Sequence, residues 1–140
     1  MGPETTQRLC LTIYNNLDKG DITFKNLISI SGQPYEKCEN LRLLSTEDVE
    51  KIRIQPGDSK LISFCGSATL GVGIEGMLDL HFEHEDRITS LYWNGPCNRI
   101  DNQFHVSSTD HEHYTVTASI PPDEGVLGVI SVDVRSLAES

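Results

Sequence analysis

Apolar residues recur along this chain with a period of two, with almost no helical periodicity beside it, and that pattern restricts the fold more than any other feature. In Leu9-Cys10-Leu11-Thr12-Ile13-Tyr14-Asn15, the residues Leu9, Leu11 and Ile13 share one face. The apolar set Ile22, Phe24, Ile28 and Ile30 does the same in the next run, and Leu78, Leu80 and Phe82 alternate with Asp79, His81 and Glu83. Successive side chains on a strand point to opposite faces, so such runs bury one face and leave the other to solvent. Shorter runs follow the same rule: 51–54 and 60–65 (parted by the turn Gln55-Pro56-Gly57-Asp58), 102–107, 114–120 (Val116, Ala118 and Ile120 on one face) and 128–134. About eight or nine short strands with frequent turn signals predict an all-β fold, an antiparallel β-sandwich. A chain of 140 residues leaves little room for a second core, so a single domain over 1–140 is expected, with 1–7 a frayed N-terminus. The one helix candidate is 45–50, with Ser45 as N-cap and Asp48 near N3.

Charge narrows the function. Eleven basic against 21 acidic residues give a net charge of −10. No basic stripe is present to meet phosphates, so a nucleic-acid partner is not expected. Anionic lipid is disfavoured for the same reason. Any membrane contact must run through uncharged or zwitterionic headgroups, aromatic insertion or a partner protein. No apolar run reaches the roughly 18 residues of a membrane-spanning helix. Met1-Gly2-Pro3-Glu4-Thr5-Thr6 has neither the basic nor the apolar part of a secretory signal. It matches the loose acylation pattern M-G-x-x-x-[ST], although a plain polar terminus explains it better. Cys10, Cys38, Cys65 and Cys97 are widely spaced without a C-x-x-C pair, and without an export signal reduced thiols are expected. One pair forming in an oxidising medium is the alternative.

His81 and His84, three apart, fall on opposite faces of a strand. His111 and His113 share a face with Asp110 and Glu112 opposite, yet a zinc site needs three or four converging ligands. Neither metal nor cofactor is expected. Gly71, Gly73 and Gly76 have the G-x-G-x-x-G spacing, but Met77-Leu78-Asp79-Leu80 continues as a strand and offers no helix N-terminus to a pyrophosphate. No nucleophile motif is visible, and the chain is read as non-enzymatic. Tyr92 and Trp93, where a strand runs into Asn94-Gly95-Pro96-Cys97, are more informative. They face opposite ways, so one points outward, with the amphipathic character favoured at membrane interfaces.

At these residues the chain resembles the aegerolysin family of small fungal and bacterial lipid-binding proteins. Leu11-Thr12-Ile13-Tyr14-Asn15 and Ile22-Thr23-Phe24-Lys25-Asn26-Leu27 resemble its first two strands, and Pro56 and Cys65-Gly66 follow in order. Gly76-Met77-Leu78-Asp79-Leu80 is similar to its Gly-x-Phe-Asp-Leu, and Tyr92-Trp93-Asn94-Gly95-Pro96-Cys97 to its Tyr-Trp-Asp-Cys-Pro-Trp. The run 125–133 resembles its closing strand. The resemblance implies a sandwich that recognises membrane sphingolipids and acts as the docking component of a two-component cytolytic or insecticidal pore former, with a larger perforin-like (MACPF) partner. It also implies a protein cytoplasmic in its producer, then released to act at a target membrane, with weak homo-oligomerisation allowed. Tyr92, Trp93, Asn94, Pro96, Val72 and Gly73 are the expected lipid-binding residues. The chain departs from the sphingomyelin-binding pattern at Arg8 (Trp in the family), Ile30-Ser31-Gly32-Gln33 (Ser-Trp-Gly-Lys), Val72 (Glu) and Cys65-Gly66-Ser67-Ala68 (Cys-Gly-Arg-Ser). A lectin or receptor-binding sandwich without lipid specificity is the alternative.

Overall fold

The alternating runs form ten strands: β1 (Arg8–Asn16), β2 (Ile22–Ser31), β3 (Gln33–Tyr35), β4 (Arg53–Ile54), β5 (Ser59–Cys65), β6 (Ile74–Phe82), β7 (Arg87–Gly95), β8 (Gln103–Ser107), β9 (Tyr114–Ala118) and β10 (Gly128–Ser136). The structure is a computed structural model and describes residues 7–36, 42–67 and 70–137. One five-stranded sheet has the order β3-β5-β1-β10-β9 and the other β4-β2-β6-β7-β8. All pairings are antiparallel except β1 with β10, which run parallel and bring the two ends of the chain together in the middle of the first sheet. The expected sandwich is the observed fold.

The core lies between the sheets. Leu9, Leu11 and Ile13 of β1, with Ile62 and Phe64 of β5 and Ile130, Val132 and Val134 of β10, face Ile22 and Phe24 of β2, Leu78 and Leu80 of β6, and Leu91 and Trp93 of β7. Removing these side chains from water supplies the main favourable term of folding, roughly 1.5–3 kcal/mol for each large one. The one helix among the described residues, α1 (Thr46–Glu50), is started as the sequence indicated. The Ser45 hydroxyl accepts from Asp48 N at 3.0 Å, and Asp48 Oδ2 accepts from Ser45 N at 2.9 Å.

Three expectations are corrected. Ile28 and Ile30 do not share the inward face of Ile22 and Phe24: both are more than half exposed, and Leu27 points inward instead. The cause is a pair of register shifts against β6: one between Lys25 and Ile28, with Asn26 in the left-handed region at φ 57°, turns Ile28 outward, and a second between Ser29 and Ser31 leaves Ile30 as the extra residue. One extra residue on one strand inverts all facing beyond it. Secondly, Gln7 is buried rather than frayed. Its amide donates to the carbonyls of Pro96 (3.0 Å) and Gly125 (3.2 Å), and its Oε1 accepts from Leu127 N (2.8 Å), tying the starts of β1 and β10 to the end of β7. Residues 1–6 lie outside the described residues. Thirdly, Cys65 is in a disulfide, while Cys10 and Cys97 are free thiols. A buried or half-buried thiol without a partner is a small hydrophobe, so neither sequence spacing nor apolar setting distinguished the bonded cysteine. Cys38 lies outside the described residues.

Candidate functional site

One end of the sandwich is built from the last residues of β2, the turn at Gly32, β3, the end of β5 and the segments 66–67 and 70–73. Between them opens a groove of 610 Å³ lined by Ser29, Ile30, Ser31, Gln33, Tyr35, Ser67, Leu70 and Val72, among others. Every described lining residue is uncharged. Its rim is apolar: Leu70 is 77% exposed and Ile30 56%. The bulge at Asn26 places Ile28 outside, the second register shift leaves Ile30 unpaired at the groove, and the Asn26 amide, which donates to Asp79 Oδ2 at 2.8 Å, pins the first bulge to β6.

Beside the groove, the outer face of the second sheet carries two rows that cross four strands. In the first, Ile28 of β2 lies opposite Met77 of β6, then Tyr92 of β7 and His105 of β8. Ile28 and Met77 are exposed, and the Tyr92 and His105 rings stack at 6.1 Å between centroids. In the second, Ser31 lies opposite Glu75, then Asn94 and Gln103. The rows are joined where the Tyr92 hydroxyl donates to Glu75 Oε2. That hydrogen bond first, and burial second, hold the Tyr92 phenol above its ordinary pKa.

The expected lipid-binding residues therefore divide. Val72 lines the groove. Tyr92 and Asn94 are half-buried on the adjoining face. Gly73 supports the loop, since a Cβ there would stand 2.4 Å from the Gly95 carbonyl oxygen and 2.6 Å from Cys97 N. Pro96 is tied down through its carbonyl by Gln7. Trp93 as an outward residue is corrected: the indole is 1% exposed, with its ring centroid 4.5 Å from that of Phe64. In register it lies opposite Gly76, whose missing side chain leaves room for the indole, so of the adjacent pair Trp93 takes the inward place and Tyr92 the outward one. Ile28, Ile30, Leu70 and Met77 were not singled out from the sequence. The available signals were Asn26, a residue type that tolerates the left-handed region, and a leucine inside a glycine-flanked loop.

The histidines are arranged differently from the expected pairing. His111 and His113 fall in a turn rather than on a strand face, and ligand atoms of Asp110, Glu112 and His113 lie within 4.8 Å of one another. His113 Nδ1 is 2.7 Å from Asp110 Oδ2, and that hydrogen bond raises the imidazole pKa. His81 sits on β6 and His84 in the following turn, at φ 63°.

The aegerolysin family model matches residues 6–137. The chain belongs to that family. Among characterised relatives it is 25% identical to terrelysin of Aspergillus terreus, the match covering 95% of this chain and 91% of terrelysin. It is 21% identical to Asp-hemolysin of Aspergillus fumigatus, covering 91% of each. The solved structure of RahU superposes with a TM-score of 0.85 at 18% identity, over 96% of this chain and 98% of RahU, and shows the same fold.

Proposed function

We propose that this aegerolysin docks on membrane sphingolipids through the groove end of the sandwich, as the non-enzymatic binding half of a two-component cytolysin whose perforin-like partner forms the pore. The observation that carries the reading is the groove itself. An uncharged cleft with Ile30, Leu70 and Val72 at its margin, in a chain of net charge −10, suits an interface of lipid headgroups and upper acyl chains rather than a charged ligand. Two relatives bear lysin names, which supports a cytolytic setting. Spanning a bilayer takes long apolar helices or a closed barrel. Among the described residues no helix is long and apolar enough to cross a membrane, and the strands pack as a sandwich, an arrangement that suits a docking component whose pore is formed by a separate protein.

Co-sedimentation with phosphatidylcholine vesicles, with and without sphingolipid, tests the docking step. Sphingolipid-dependent pelleting is expected, reduced at least tenfold by Ile30→Asp with Leu70→Asp and with the melting temperature nearly unchanged, because both side chains are exposed. Equal pelleting of the double variant would remove the groove from the interface. Release of vesicle contents by the chain alone would remove the need for a partner.

A further inference from the structure

We propose that the headgroup this end selects is an uncharged sugar, the glycosyl part of a neutral glycosylceramide, rather than a phosphodiester. The inference rests on the docking reading above and refines it. It starts from what the groove offers. Its polar lining is Ser29, Ser31, Gln33, Tyr35 and Ser67, hydroxyls and one amide, with no cation among the described lining residues. A phosphodiester drawn out of water requires a cation or a set of aligned backbone donors. Of the charged residues in register with the lining, Glu75 lies directly opposite Ser31 and repels a phosphate, whereas Arg8, opposite Cys65 on the far side of β5 from Gln33, is not itself among the lining residues. A choline ammonium would find two separate tyrosines, Tyr35 in the groove lining and Tyr92 on the adjoining sheet face, the latter already stacked on His105, and no ring pair closing into a cage among the described residues.

A sugar requires the opposite set of groups. Its vicinal hydroxyls pair with carboxylates and amides, while its C–H face rests on apolar or aromatic surface. The row Ser31, Glu75, Asn94 and Gln103 supplies a hydroxyl, a carboxylate and two amides on adjacent strands. At strand spacings of about 4.8 Å the row extends roughly 14 Å from the groove lip, the scale of a short oligosaccharide. The neighbouring row supplies Met77 and Tyr92 as the apolar bed. The hydrogen bond from Tyr92 to Glu75 orients the carboxylate before a ligand arrives, which lowers the ordering cost of binding.

The full chain is tested by co-sedimentation with phosphatidylcholine vesicles carrying glucosylceramide, lactosylceramide, sphingomyelin or ceramide phosphoethanolamine, and by titration with free lactose and longer neutral oligosaccharides. The expected result is at least tenfold stronger binding to the glycosylceramides than to either phosphosphingolipid. Gln33→Ala, an exposed substitution on β3, should weaken glycosylceramide binding about three- to tenfold, one neutral hydrogen bond's worth, at unchanged melting temperature. Gln33→Lys, which introduces a cation, should move the preference toward the phosphosphingolipids. Equal or stronger binding of sphingomyelin or ceramide phosphoethanolamine overturns the sugar assignment and leaves membrane docking standing. Binding of free oligosaccharide with no vesicle binding supports the sugar chemistry and overturns the docking. Binding to neither overturns both, and a Gln33→Ala variant that binds like the parent removes the groove from the sugar site.

Discussion

Trp93 and Gly76 face one another across β6 and β7, and neither residue is replaceable without a cost to the other. A Cβ on Gly76 would meet the indole Cζ2 at 2.7 Å and the Ile28 carbonyl oxygen at 2.8 Å, both inside van der Waals contact. Trp93→Ala empties a large volume beside Phe64 and is expected to cost about 3–5 kcal/mol. Gly76→Ala overpacks the same place and is expected to cost roughly 1–3 kcal/mol. Urea unfolding measures both. Sedimentation of the folded fraction with sphingolipid vesicles should stay within a factor of about two of the parent, because the indole lies away from the interface. A Trp93→Ala variant that keeps full stability and loses vesicle binding would return the tryptophan to the lipid site. At this scale the sequence showed that Tyr92 and Trp93 point in opposite directions, since strand geometry requires it. Which one points inward depends on the partner in register, and a long-range pairing with Gly76 is not a local property of either residue.

Among the elements, β2 decides where the site is. Its first half reads correctly from alternation, and its second half does not, because Asn26 and then Ile30 are extra residues in the ladder. The sandwich was legible because turn chemistry and period-two runs are local and repeated through the chain. The groove was not, because it depends on two register shifts in β2 and on the close approach of Gly73 to Gly95 and Cys97. The capping box at Ser45 and Asp48 was legible for the converse reason, as both partners lie within one turn. A β-branched residue is strained at φ 57°, whereas glycine adopts that conformation freely. Asn26→Val adds that strain, about 1–2 kcal/mol, to the loss of the Asp79 hydrogen bond, and is therefore expected to destabilise by roughly 1.5–3.5 kcal/mol. Asn26→Gly should cost only the lost hydrogen bond to Asp79, about 0.5–1.5 kcal/mol. Thermal or urea unfolding of the two variants gives the comparison. If valine is tolerated as well as glycine, the backbone there is not left-handed and the outward placement of Ile28 loses its cause.

Across the whole molecule, charge is distributed unevenly between the two ends. The turns remote from the groove hold Asp18, Asp21, Asp58, Glu83, Glu85, Asp86, Asp110 and Glu112, against Lys19 as the one basic residue in those turns. Nine-residue strands of about 3.3 Å per residue separate the two ends by roughly 30 Å. That is several Debye lengths at physiological salt, where the screening length is about 8 Å, and comparable to one Debye length near 10 mM. The distant carboxylates therefore act on a membrane at the groove end only when salt is low. Asp101, Asp123 and Glu124, in loops at the groove end, act at closer range and outnumber Arg8 and Arg99 at the same end. Adding anionic phosphatidylserine to sphingolipid vesicles should accordingly weaken binding several-fold at 10 mM salt, and raising salt to 0.5 M should remove most of that loss. The same titration on purely zwitterionic vesicles should show little salt dependence, because groove contacts with Ile30, Leu70 and Val72 are apolar and unscreened. Co-sedimentation across the four combinations of lipid and salt separates the contributions. Stronger binding with phosphatidylserine at low salt would mean that a basic surface, not the uncharged groove, meets the membrane, and the orientation of the molecule on the bilayer would have to be reversed.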